Sequence, residues 1–166
     1  MQSKSVLRIS NFTTPMMIAC GLLVASSPGW AQDTGDTKCT NRSLLGDYGF
    51  TIEGITLTIP GVALPAGGVP LRGVAMTHFD GKGKLTQIDH VVFNGAPPPT
   101  EWTAGAGTYS INADCTGSFV INIPGSPFSP VKVHFVVVRQ GKEIRTVVDG
   151  NGPVTSASTS IGIKVE

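Results

Sequence analysis

The chain has 166 residues, a one-domain length, with 14% charged residues, 21 glycines and 12 prolines. Its formal charge is +1, and removing Lys4 and Arg8 from the 12 basic residues leaves 10 against 11 acidic ones. That balance excludes an electrostatic case for nucleic acid or for anionic membranes. Frequent Gly and Pro with few charges suit many short strands joined by turns.

The N-terminus has the three parts of a signal peptide. Lys4 and Arg8 form a positive start, Pro15 to Ala25 is apolar, and Ser26 to Ala31 ends in small residues that fit cleavage after Ala31. The apolar run is about half the roughly 20 residues that a membrane span needs. An uncleaved helix anchor and lipoprotein processing at Cys20 are the alternatives, but apolar residues continue past Cys20. The expected organisation is therefore a signal peptide at 1–31, a flexible polar leader at 32–38 and one domain at 39–166, exported to the periplasm or secreted. No membrane span is expected after signal removal.

Cys20 leaves with the signal, so Cys39 and Cys115 remain as an even pair in an oxidising compartment and are expected to form a disulfide. Two free thiols are the alternative.

Along the chain, Asp47 to Gly54 alternates large with small or polar residues and predicts a first strand. Ile55 to Ile59 extends it or forms a second. Pro60 to Pro70 is a loop. Leu71 to Phe79 and Lys84 to Phe93 predict a hairpin, because Asp80-Gly81-Lys82-Gly83 offers two glycines for the positive φ of a tight turn. Asn94 to Pro99 is a proline loop.

Strands are then predicted at Gly105 to Ile111 and Thr116 to Ile123, with a third proline-rich loop at Pro124 to Pro130. Val131 to Arg139, nearly all β-branched or aromatic, predicts a deeply buried strand. Glu143 to Val148 and Thr155 to Val165 follow, with a turn at Asp149 to Pro153 between them. Eight or nine sequential strands predict an all-β fold, either a closed antiparallel up-and-down barrel or a sandwich, with the barrel preferred.

Leu45-Gly46-Asp47-Tyr48-Gly49-Phe50 resembles the opening of a group of small secreted bacterial proteins of unknown role. His78 to Leu85, Gly107 to Gly117 and Gly141 to Arg145 resemble later pieces of the same group, in the same order. That group is similar to the allene oxide cyclase-like barrels. The resemblance implies a calycin-like, eight-stranded barrel with a central cavity, in a wider set that includes cyclases and isomerases acting on oily substrates. The motifs place turns and a cysteine, and they carry over no active-site residue.

No catalytic motif, cofactor signature or metal-ligand spacing stands out. Gly125-Ser126-Pro127 lacks the strand-to-helix context of a nucleophile elbow. Asn41-Arg42-Ser43 fits a glycosylation acceptor, relevant only in a eukaryotic source. If the hairpin closes, the faces bearing His78 and His90 coincide, and with Asp80 or His134 they would make a metal site. Their spacing matches no ligand signature, so they are read as solvent-facing.

Acid/base candidates are Glu53, Asp89, Glu101 and Glu143. Asp89 stands out because it shares a strand face with Leu85, Val91 and Phe93, which would put a titratable group in an apolar lumen. Its alternative is a place near a strand end, in reach of water. Arg145 would pair with an acid or a ligand carboxylate if it faced the lumen. Trp102, after the proline loop, would gate a cavity at the barrel mouth or plug the barrel end.

Three functions follow. The first is binding of a small apolar ligand in the barrel, with no enzymatic role. The second is a cyclase or isomerase using the cavity. The third is an envelope structural or interaction protein that pairs through an exposed Ser156 to Ser160 edge.

Overall fold

A computed structural model describes residues 38–149 and 154–166. The signal peptide expected at 1–31, residues 32–37 of the leader and most of the Asp149 to Pro153 turn lie outside the described residues.

Eight antiparallel strands close into a barrel in sequence order. They are β1 (Gly46–Thr58), β2 (Val69–Phe79), β3 (Lys84–Phe93), β4 (Thr103–Ile111), β5 (Thr116–Asn122), β6 (Val131–Val138), β7 (Glu143–Val148) and β8 (Thr155–Lys164). The stretch from Ile55 extends β1 rather than making a separate strand. Closure comes from β1 pairing with β8, through partners such as Phe50 with Gly162 and Ile52 with Ser160. β8 is thus bonded on both sides, to β7 and to β1. This corrects the reading of Ser156 to Ser160 as an exposed edge, because no backbone ladder is left for a partner strand.

Strand alternation sorts inside from outside. Tyr48 and Phe50 point in while Thr51 and Glu53 point out. β6 corrects a second expectation. Its hydrophobic run is not buried on both faces: Val133, Phe135 and Val137 are buried, whereas Lys132, His134 and Val136 are exposed. A barrel wall has one solvated face, and β-branched residues serve there for their conformational preference.

One end of the barrel is sealed. A 3-10 turn at Asn41–Leu44 drives Leu44 into it with no exposed surface. Phe79, also fully buried, meets Tyr48 and Tyr109 edge-on at 5.5 and 5.0 Å between ring centroids. The Tyr48 hydroxyl donates to the Gly141 carbonyl, and Tyr109 donates to the Asn41 carbonyl at 3.0 Å. Burial, helped by neighbouring Tyr109, pushes the Tyr48 hydroxyl pKa up to about 12. The Asn41 side chain accepts from the Ile111 N–H at 3.1 Å, so the would-be glycosylation asparagine is a structural tie.

The Cys39–Cys115 disulfide fastens this plug to the turn between β4 and β5. The Asp80 to Gly83 turn sits at the same end. Gly81 and Gly83 have φ of 72° and 108°, and the Asp80 carboxylate accepts from the Lys82 and Lys84 N–H groups at 2.7 and 2.9 Å. Those backbone donors, Lys84 first, hold the Asp80 carboxyl below the usual range.

Candidate functional site

The other end is open. The loops that follow β1, β3 and β5 gather there. Below them a cavity of about 620 Å³ occupies the lumen, within the size range of small-molecule sites. Its existence follows from side-chain size. On β2 the inward residues shrink from Phe79 at the sealed end to Ala75. On β4 they pass from Tyr109 to Gly107 and Gly105, and on β8 the lumen receives Ser156, Ser158 and Ser160. An eight-stranded barrel is just wide enough for side chains to fill, so small residues leave room.

The wall is mainly apolar, with Ile52, Leu71, Val91, Ile121, Val133 and Val148 among its residues. At the rim, Phe93 and Phe128 stack at 4.8 Å with rings 15° apart, joining the loops after β3 and β5. Prolines of both loops, including Pro98 and Pro127, line the entrance. Rigid prolines hold an opening in shape without needing ladder hydrogen bonds.

Two polar groups interrupt the apolar wall, one on β2 and β3 and one on β7 and β8. Thr77 on β2 donates to the Gln87 carbonyl at 2.9 Å, and the Gln87 amide donates to Asp89 Oδ2 at 2.9 Å on β3. Gln87 and Asp89 both line the cavity, and Asp89 is 6% exposed. Burial pushes its carboxyl up from the ordinary aspartate range, against the opposing pull of Gln87 and then His90. No protein donor among the described residues reaches its other oxygen, Oδ1. Across the lumen, four and three strands away around the eight-stranded ring, Thr146 on β7 and Ser160 on β8 share a 2.6 Å hydroxyl contact. Among the described lining residues Asp89 is the only carboxylate and Lys132, exposed and on an outward-facing position, the only cation.

The remaining candidates lie elsewhere. Arg145 points outward, 63% exposed, and its guanidinium meets Glu143 at 2.8 Å. It cannot reach a lumen ligand, because β7 turns Ile144 and Thr146 inward and Arg145 out. Glu143 is itself buried, 4% exposed, between the guanidinium groups of Arg145 and Arg139, and it does not line the cavity. Glu53 and Glu101 are exposed. Trp102 is 50% exposed and packs edge-on against His90 at 6.1 Å, outside the cavity lining, so it neither gates nor plugs the barrel.

His78 and His90 share the outer face, but their partners across the hairpin are Thr86 and Val74, not each other. His78 contacts Asp47 and His134 contacts Asp149. Among the described residues no group of three His, Cys, Asp or Glu side chains could hold a metal ion. Gln87 and Thr77 were not singled out by sequence reasoning, and the β8 serines were read as an edge, not as lumen lining. The alternation that marked Asp89 marks Gln87 as well, since both share parity with Leu85 on one strand.

No protein-family model matches the chain, and no curated protein matches it.

Proposed function

We propose that this protein is an exported, non-enzymatic binder of one small, mainly apolar molecule, held in the open half of the barrel. The observation that carries the reading is the cavity of about 620 Å³, apolar in most of its wall, with the buried Thr77-Gln87-Asp89 chain and the β7–β8 hydroxyls as its convergent polar groups. The disulfide is compatible with export, and the N-terminal signal-peptide pattern supports it.

The experiment is native mass spectrometry on protein purified from its own source, followed by titration with a neutral naphthylamine dye. We expect a copurified small-molecule mass or dye binding at one site. Ala75→Leu, which adds branched carbon to the cavity wall, should weaken dye binding by about tenfold or more while leaving the β-sheet circular dichroism spectrum intact. A bare polypeptide mass together with no dye binding would overturn the reading.

A second reading rests on Asp89. A carboxyl buried in an apolar lumen with a raised pKa is the type of group a cyclase or isomerase uses as an acid or base. The resemblance to allene oxide cyclase-like barrels favours the same chemistry. It requires turnover of an oily substrate that disappears in Asp89→Asn without loss of binding.

A further inference from the structure

Building on the ligand-binding reading, we propose that the cavity selects an amphipathic ligand whose polar end is a hydrogen-bond donor, best a protonated amine, and discriminates against a carboxylic acid of the same length. Three features of the wall point there. The hydrogen-bond chain is directional: Thr77 donates to Gln87, and Gln87 donates to Asp89. The chain therefore ends in an acceptor, and Asp89 Oδ1 is the unfilled position at its end.

Second, among the described residues the carboxylate has no counter-charge inside the barrel. Lys132 is exposed at the rim, and His90 lies on the outer face, engaged with the Glu101 carbonyl at 2.5 Å. A buried charge without a partner is costly, so a cationic head supplies what the protein leaves out. Third, an acid head placed beside Asp89 would put two carboxyl groups together, a pairing that disfavours ionisation of both. An acid could seat itself only in reverse, with its head at Lys132 and its tail inward, where it gains nothing from Asp89.

The test is a matched series of decylamine, decanol and decanoic acid, each below its micellar concentration, displacing the naphthylamine dye at neutral pH. We expect the amine to bind about tenfold or more tighter than the acid, with the alcohol between them. Asp89→Asn keeps the size of the side chain and its hydrogen bond from Gln87, and it should collapse the amine preference to within about threefold. An acid that binds as tightly as the amine in the unaltered protein would overturn the inference, whether or not the variant folds. So would an unchanged order of affinities in Asp89→Asn. In either case binding of the alcohol would leave the general ligand-binding reading standing, whereas failure of all three to bind would overturn both.

Discussion

The two ends of this barrel are built from the same eight strands and differ in almost every physical respect. At the sealed end Leu44, Tyr48 and Phe79 have no exposed surface, both tyrosine hydroxyls are hydrogen-bonded, and a disulfide locks the plug. At the open end many lumen residues are small, and among the described residues a buried carboxylate has no counter-charge and the fully buried Thr56 Oγ1 has no hydrogen-bond partner. Unsatisfied buried groups are a cost that packing elsewhere has to offset. The sealed end supplies that packing, so the open end is free to keep a cavity.

If the division holds, damage to the two ends should separate stability from binding. The largest expected effect is loss of the disulfide. It bridges residues 76 apart, and the chain-entropy relation gives about 4.5 kcal/mol for a loop of that size. Replacing Cys39 and Cys115 by serine should lower the urea-unfolding free energy by roughly that amount, with dye affinity in the folded fraction unchanged. A large loss of affinity would break the comparison by coupling the two ends.

The next effect sharpens it. Phe79→Ala should cost about 4 kcal/mol, because it empties a fully enclosed site packed by Tyr48 and Tyr109. Phe93→Ala, at the rim beside Phe128 and next to existing open space, should cost about 1 kcal/mol. It should raise the dissociation rate of a bound ligand instead, because a stacked pair across the entrance is lost. Stopped-flow release and thermal unfolding, run side by side, measure the two.

Much of the architecture was legible in the sequence because strands and turns are local. Asp80-Gly81-Lys82-Gly83 carries its own turn chemistry, and Lys84 to Phe93 and Glu143 to Val148 are observed as read. The Cys39–Cys115 pairing followed from counting cysteines. The site was less legible because a lumen is a non-local object. Arg145 lost its candidacy through the parity of β7, and the hydrophobic run on β6 did not reveal that Lys132, His134 and Val136 face water. The cavity itself had a readable sign. Inward side chains dwindle from Phe79 to Ala75 on β2 and from Tyr109 to Gly105 on β4 and are small throughout β8, but that pattern appears only when neighbouring antiparallel strands are read in opposite directions.

The smallest predicted effect concerns the price of the open end and has a definite sign. Burial raises the folded-state pKa of Asp89 above its unfolded value. Between those two values the folded protein holds a proton that the unfolded chain has released. The unfolded chain binds fewer protons there, so stability falls as pH rises through that window and stays lower above it. Asp89→Asn removes the ionisation while keeping an acceptor for the Gln87 amide. The variant should therefore be more stable than the unaltered protein at neutral pH, by on the order of 1 kcal/mol. The advantage should fade as the pH drops below the ordinary aspartate range, where both proteins are uncharged at this position. A variant that is less stable at neutral pH would mean that the carboxylate is stabilised in place by the fold. The contrast between a satisfied base and a costly mouth would then fail at its most specific residue. Saturating decylamine should shrink the difference, because a cation beside Asp89 removes the penalty that the substitution relieves.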